Sequence, residues 1–220
     1  MQVQSKEWGN VSESFSFVME QQLHADAVIL DVGCYTGTLI YRLAEGGLPD
    51  VHGIDVDVKA VERGKRLYPE LEDRLSGYAG VVLPFPEESF DVVTMFDVLE
   101  HIPNVEEFLS REVWRVLKKG GTLLLQTPNK YTNIPWEILI HRSFSKYKSY
   151  HVSLQSYWSL QGILRTGGFH EIRISKRDIL SPYYLDALQS QLGFLANPVA
   201  RLFNALPTAL STNFWGSCSK

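Results

Sequence analysis

The sequence predicts an α/β fold: a doubly wound sheet of about seven strands, mostly parallel, with helices on both faces. Three observations carry that expectation. Short apolar runs alternate with amphipathic stretches, the pattern of parallel strands covered by helices. Glycine pairs or a proline close the helical stretches at Gly46-Gly47, Pro69, Gly120-Gly121 and Gly167-Gly168. No internal repeat or low-complexity tract interrupts the alternation, and right-handed crossovers wind such a chain into an open sheet.

Taken in order, Ala27 to Val32 is rich in Val, Ile and Leu and ends at Gly33, as a buried strand does. From Gly37, residues Leu39, Ile40, Leu43 and Ala44 recur at helical spacing. Val51 to Val56 reads as a second strand and Val58 to Leu67 as a helix stopped by Pro69. A weaker third strand is expected over Leu75 to Val82, a loop at Leu83-Pro84-Phe85-Pro86, and a clear fourth strand over Phe90 to Phe96. Val105, Phe108, Leu109, Val113, Val116 and Leu117 mark one face of a helix that Gly120-Gly121 breaks. Thr122 to Gln126 is the fifth strand, and Thr127-Pro128-Asn129 opens a long connection. Ser153 to Thr166 is helical by pattern, and Glu171 to Ser175 is a strand. An apolar helical region runs from Tyr183 to Leu206, interrupted near Gly193 and Pro198, before a last strand over Leu210 to Cys218.

The 220 residues suit one domain with a sizeable core. A net charge of −4 supplies no global basic field for nucleic acid. Cys34 and Cys218 form no CxxC pair and have no histidine at ligand spacing, so they are expected as reduced thiols and no metal is implied. The N-terminus lacks the basic-then-apolar order of a signal peptide, and no run approaches the roughly 20 apolar residues of a membrane helix. A soluble, cytoplasmic protein is therefore expected.

The first strand ends in Asp31-Val-Gly33-Cys-Tyr-Thr-Gly37. A glycine-bearing turn there lets the backbone approach a ligand closely. The second strand ends in Gly53-Ile-Asp55, where a carboxylate can accept hydrogen bonds from both hydroxyls of an adenosine ribose. A dinucleotide would need G-x-G-x-x-G for its pyrophosphate, whereas Tyr35 holds the middle position here. Asp31 would also repel a pyrophosphate, while it suits the ammonium group of a methionine moiety. These features favour S-adenosylmethionine over a nicotinamide cofactor.

Four blocks then stand in register: Val28 to Gly37, Gly53 to Asp55, Leu83 to Thr94 running into Asp97-Val-Leu-Glu-His101, and Leu117 to Gly121. In them the chain resembles class I S-adenosylmethionine-dependent methyltransferases, the Rossmann-like group that includes ubiquinone-biosynthesis-type enzymes. The resemblance implies a cofactor site in which Asp31, Gly33 and Gly37 line the methionine and ribose side. It further implies that Asp55 holds the ribose, Val56 lies against the adenine and Phe96 sits beside the methionine portion. Two positions depart from the family pattern. Tyr35 stands where the residue is usually glycine or small, and Ala79 or Gly80 falls where an acid often bonds the adenine amino group.

Residues 1–24 are expected to form an N-terminal helical segment, 25–130 the cofactor-binding core, and 131–220 an acceptor-side insertion and C-terminal part of the same domain. Glu100 and His101 follow the fourth strand, where an acceptor could approach, although helix capping would explain them equally well. His151 precedes the Ser153 helix at a place where similar enzymes carry a polar residue facing the acceptor; an exposed structural histidine is the plain alternative. Between residues 130 and 151, Lys130, Arg142, Lys146 and Lys148 interleave with Tyr131, Trp136, Phe144, Tyr147 and Tyr150 against the one acid Glu137. Such a stretch is either a solvated loop over the sheet or a clasp for an anionic group. The apolar residues after Arg177 suit core packing, a homodimer face or an apolar acceptor channel. The expectation is methyl transfer to a small-molecule or lipid-like acceptor, with nucleic acid disfavoured. A non-catalytic cofactor-binding or scaffold domain and a nicotinamide-dependent oxidoreductase are the alternatives.

Overall fold

A computed structural model describes residues 11–177, 189–190 and 193–220. Its single sheet contains β1 (Ile29–Val32), β2 (Val51–Asp55), β3 (Leu75–Gly77), β4 (Phe90–Phe96), β5 (Leu117–Pro128), β6 (His170–Ser175) and β7 (Asn213–Ser219). The spatial order is β3-β2-β1-β4-β5-β7-β6. Strands β1 to β5 pair in parallel, and β7 runs antiparallel to both β5 and β6. The order reverses at β1, so the crevice past the carboxyl ends of β1 and β4 is the topological switch point at which such sheets bind ligands.

Alternation along the buried strands divides the interior into two layers. Ile29, Val51 and Leu124 face α1 (Val11–Met19), α2 (Thr38–Glu45) and α3 (Val58–Leu67) through Phe17, Ile40, Leu43 and Val61. Leu30, Val32, Val93, Leu123 and Leu125 face the other way, onto Leu109, Val113, Leu160 and Leu164. Those partners come from a helical run and from α7 (Tyr157–Thr166). The run comprises α4 (Val105–Glu107), a π segment (Phe108–Val113) and α5 (Trp114–Val116). The helix over Val58–Leu67 starts where Asp57 accepts the backbone N–H groups of Lys59 and Ala60. It ends, as the sequence suggests, before Pro69.

Four expectations need correction. The third strand stops at Gly77 rather than Val82; the positive φ of Gly80 turns the chain, and Val81 and Val82 are exposed at the sheet edge. The fifth strand begins at Leu117. The helix before it ends at Val116, and Gly120 (φ 74°) and Gly121 form an irregular turn within the strand, bonded in both directions to Lys220. In place of a continuous connection, α6 (Lys130–His141) starts at the Asn129 cap and carries Pro135 internally. The helix expected from Ser153 starts at Tyr157, where Ser156 and Ser159 form a capping box.

The C-terminal region contains α8 (Ala196–Asn204), with Ala196 and Ala200 buried. Tyr183, Tyr184, Leu188 and Leu192 lie outside the described residues. Among the described residues, no helix is long and apolar enough to cross a membrane. Cys34 and Cys218 are both free and buried.

Candidate active site

Strand β1 delivers Asp31 to the switch point, between Gly53 on β2 and Thr94 on β4. The carboxyl group is 4% exposed, and its Oδ1 accepts the Thr94 hydroxyl at 2.6 Å. Burial pushes its pKa up to about 7; the Thr94 hydrogen bond opposes the shift and the nearby Asp55 adds to it. Among the described residues no basic side chain pairs with Asp31. A carboxyl group in that position accommodates a cationic ligand group.

The turn after β1 closes on β2. Gly33 and Cys34 both donate to the Ile54 carbonyl, at 2.8 and 3.0 Å. Gly33 (φ 82°) passes so near Val98 that a Cβ would collide with its side chain, and Gly37 (φ 74°) would set a Cβ 2.8 Å from Leu75. Both positions therefore demand glycine for conformation and for space. Tyr35 shares the left-handed conformation at φ 51°, which costs a non-glycine residue roughly 1–2 kcal/mol. Its N–H donates to Asp55 Oδ2 at 2.7 Å, and its ring lies under the Arg63 guanidinium at 5.0 Å.

Asp55 also accepts the Asp57 N–H through Oδ1 at 2.8 Å. Each carboxylate oxygen has a second lone pair, so two ribose hydroxyls remain accommodated at this strand end. Beside it Val56 is 61% exposed, with Val81 and Val82 equally open and Gly80 approaching Val56. These exposed valines offer apolar surface beside the strand end, and the loop from Tyr78 to Val82 carries no carboxylate. Phe96, at the end of β4, packs against Phe17 at 6.2 Å and Trp215 at 5.7 Å, with Arg177 lying over those two rings.

On the far side of the crevice, Glu100 is 2% exposed and its Oε2 accepts the Thr127 hydroxyl at 3.0 Å. Burial first, then the neighbouring Asp97, raises its pKa to about 8. The Glu100 carbonyl accepts the N–H groups of Val152 and Ser153 at 2.9 and 3.0 Å. That pair of bonds brings His151 beside His101, fifty residues away in sequence, with ring centroids 5.2 Å apart. Burial and His101 lower the pKa of His151. The tyrosine before it, Tyr150, bonds the Glu137 carboxylate of α6.

Sequence reasoning thus singled out Asp31, Gly33, Gly37, Asp55 and Val56, and the structure gathers them at one crevice end. It also places His101 against His151, which the sequence had no means of pairing. It missed Thr94, whose hydroxyl interrupts an otherwise apolar strand, and Thr127, whose only signal is its position at the polar end of β5. The Phe17–Phe96–Trp215 group joins α1, β4 and β7 and left no local signal.

Comparison with known proteins agrees with this geometry. Residues 30–125 match the family model of a methyltransferase domain. A probable S-adenosylmethionine-dependent methyltransferase of Mycolicibacterium smegmatis is 37% identical over 110 residues, 49% of this chain and 40% of that protein. A mitochondrial ubiquinone biosynthesis O-methyltransferase of Candida albicans is 38% identical over 107 residues, 46% of this chain and 32% of that protein. The chain therefore spans less than half the length of these relatives. An S-adenosylmethionine-dependent methyltransferase structure from Mesorhizobium loti shares the fold with a TM-score of 0.68. It is 16% identical, with 96% of this chain and all of that one covered. Residues 30–125 are thus similar to an S-adenosylmethionine-dependent methyltransferase domain, set within a seven-stranded, Rossmann-like fold shared with solved methyltransferase structures.

Proposed function

We propose that the chain transfers the methyl group of S-adenosylmethionine to the oxygen of a small-molecule or lipid-like acceptor. The observation that carries this reading is the buried Asp31 carboxyl, set beside a glycine turn and Asp55 with no basic partner among the described residues. Asp31 takes the methionine ammonium, Gly33 and Gly37 admit the ligand to the backbone, Asp55 holds the ribose, and Val56 covers the adenine. Phe96 closes the methionine side.

When bound, the cofactor supplies a methyl group on a sulfonium, which an acceptor's lone pair displaces in line. The cofactor would leave as a neutral thioether with the S–CH3 bonding pair on sulfur, while the acceptor oxygen would gain the methyl group and give up its proton. The protein's task is to align the acceptor and exclude bulk water. His151 and His101, with Glu100 behind them, handle the proton that the acceptor oxygen loses. An oxygen acceptor also fits the similarity to the ubiquinone biosynthesis O-methyltransferase of Candida albicans.

The test supplies S-adenosylmethionine and a panel of phenols, catechols and hydroquinones and measures S-adenosylhomocysteine formed. Acceptor-dependent product that vanishes in Asp55→Ala supports the assignment. Hydride transfer from a nicotinamide cofactor, without any methylated product, would overturn it.

A further inference from the structure

We propose that Glu100, His101 and His151 form a divalent-metal site on the acceptor side of the crevice. The inference rests on the acceptor-side reading above for its catalytic meaning and on geometry alone for the metal. One ligand atom from each residue lies within 4.8 Å of the other two.

The chemistry of the three facing atoms is what calls for a cation. His101 Nδ1 lies 2.7 Å from the Tyr150 carbonyl oxygen. A carbonyl only accepts, so Nδ1 carries a hydrogen and Nε2 is the ring nitrogen left to face the site. That atom faces Glu100 Oε1 at 4.0 Å, too far for a hydrogen bond. The other Glu100 oxygen is already held by Thr127. His151 Nδ1 is buried and has no hydrogen-bond partner among the described residues. A carboxyl oxygen and two imidazole nitrogens thus gather with no hydrogen bond among them, and a metal ion would bind all three.

The outer contacts are those of a ligand set. The Tyr150 carbonyl fixes the tautomer of His101, and the Thr127 hydroxyl orients Glu100. Two imidazoles and one carboxylate suit a zinc-class ion that keeps an open coordination position. Ligand atoms at about 2.1 Å from such an ion stand about 3.0–3.4 Å apart, so the imidazoles close in by roughly 1 Å on loading. In the open position the acceptor's hydroxyl becomes acidic enough to ionise near neutral pH, its proton leaving to water, and the oxygen keeps the pair that attacks the methyl group. In the loaded site His151 and His101 act on the acceptor's proton through the ion they hold.

Cobalt(II) is the probe, because its visible bands report coordination where zinc is silent. The full chain is titrated with cobalt, and zinc is then added to displace it. The expected result is one equivalent bound, displaced by zinc, with affinity at least about tenfold weaker in both His101→Ala and His151→Ala. Binding of S-adenosylhomocysteine by the variants, unchanged, shows that they are folded. Saturable cobalt binding that persists without any methyl transfer would leave the metal site standing and remove the acceptor-side reading. No saturable cobalt binding by a wild-type chain that binds S-adenosylhomocysteine would overturn the metal site, as would binding by either variant as tight as that of the wild type.

Discussion

The two halves of the crevice are built by different means. On the side proposed for the cofactor, between β1 and β3, the groups that matter are close in sequence and act largely through the backbone: Tyr35 reaches Asp55 across twenty residues, and Gly33 and Cys34 bond Ile54 directly. On the acceptor side, His151 reaches His101 only because Val152 and Ser153 bond the Glu100 carbonyl. Asn129, which starts α6, is itself held by the carbonyls of Ala209 and Ser211, some eighty residues on. On the proposed function, a ligand common to many proteins is gripped by a compact local motif, whereas the acceptor would be met by side chains that only the complete fold assembles.

The sharpest break in this comparison is Gly33→Ala. It adds a Cβ against Val98 at φ 82°, and the strain and overpacking should destabilise the chain by about 2–4 kcal/mol. Thermal unfolding measures the loss, and cofactor binding should disappear with it. Removing a side chain from the same wall separates grip from stability. Asp31→Asn keeps the shape and the Thr94 contact but deletes the charge, so S-adenosylhomocysteine should bind about 10–100-fold more weakly, as expected for a lost charge-assisted contact of about 1.5–3 kcal/mol.

The same residue gives the pH dependence. The folded chain holds the Asp31 proton up to about pH 7, whereas an unfolded chain releases it near the ordinary aspartate value of 3.8. The folded state therefore binds more protons between those limits, and this residue's contribution to stability falls as pH rises through them. Melting curves of Asp31→Asn should lack that decline. A bound ammonium favours the ionised form, so wild-type affinity for S-adenosylhomocysteine should strengthen as pH rises from 6 to 8, with proton release seen by calorimetry in buffers of different ionisation heat.

On the acceptor side, His151→Ala should lower turnover by about 10²-fold while cofactor affinity stays as in the wild type. A parallel fall in both would join the two halves that the structure separates. The smallest effect belongs to Tyr35→Gly. Relief of the left-handed strain offsets the lost Arg63 contact and the entropy glycine adds to the unfolded chain, so stability should move by less than about 1 kcal/mol. A large loss of cofactor binding in that variant would instead give the tyrosine ring a part in the grip.

The same division decides what could be read from the sequence. Phe90–Phe96 and Val58–Leu67 match their expected bounds because apolar periodicity and punctuation agree there. The wall of Asp31, Gly33, Gly37 and Asp55 was legible because its parts sit at the ends of such elements. Helix α6 was hidden by Pro135 and by Thr132, Asn133 and Glu137 scattered among its apolar residues with no clean stripe. The start of β5 was hidden by Gly120-Gly121, whose usual meaning is a break and which here make an irregular turn inside a strand. Nothing local links Glu100 to Thr127 or His101 to Tyr150, since those partners are fixed only when β4, β5 and the chain before α7 come together.

The most direct test of the account is a calorimetric titration of S-adenosylhomocysteine into the wild type, Asp31→Asn and His151→Ala. The account predicts binding by the wild type, strong weakening in Asp31→Asn and no change in His151→Ala. A folded wild type that fails to bind, or an Asp31→Asn chain that binds as tightly as the wild type, would contradict it.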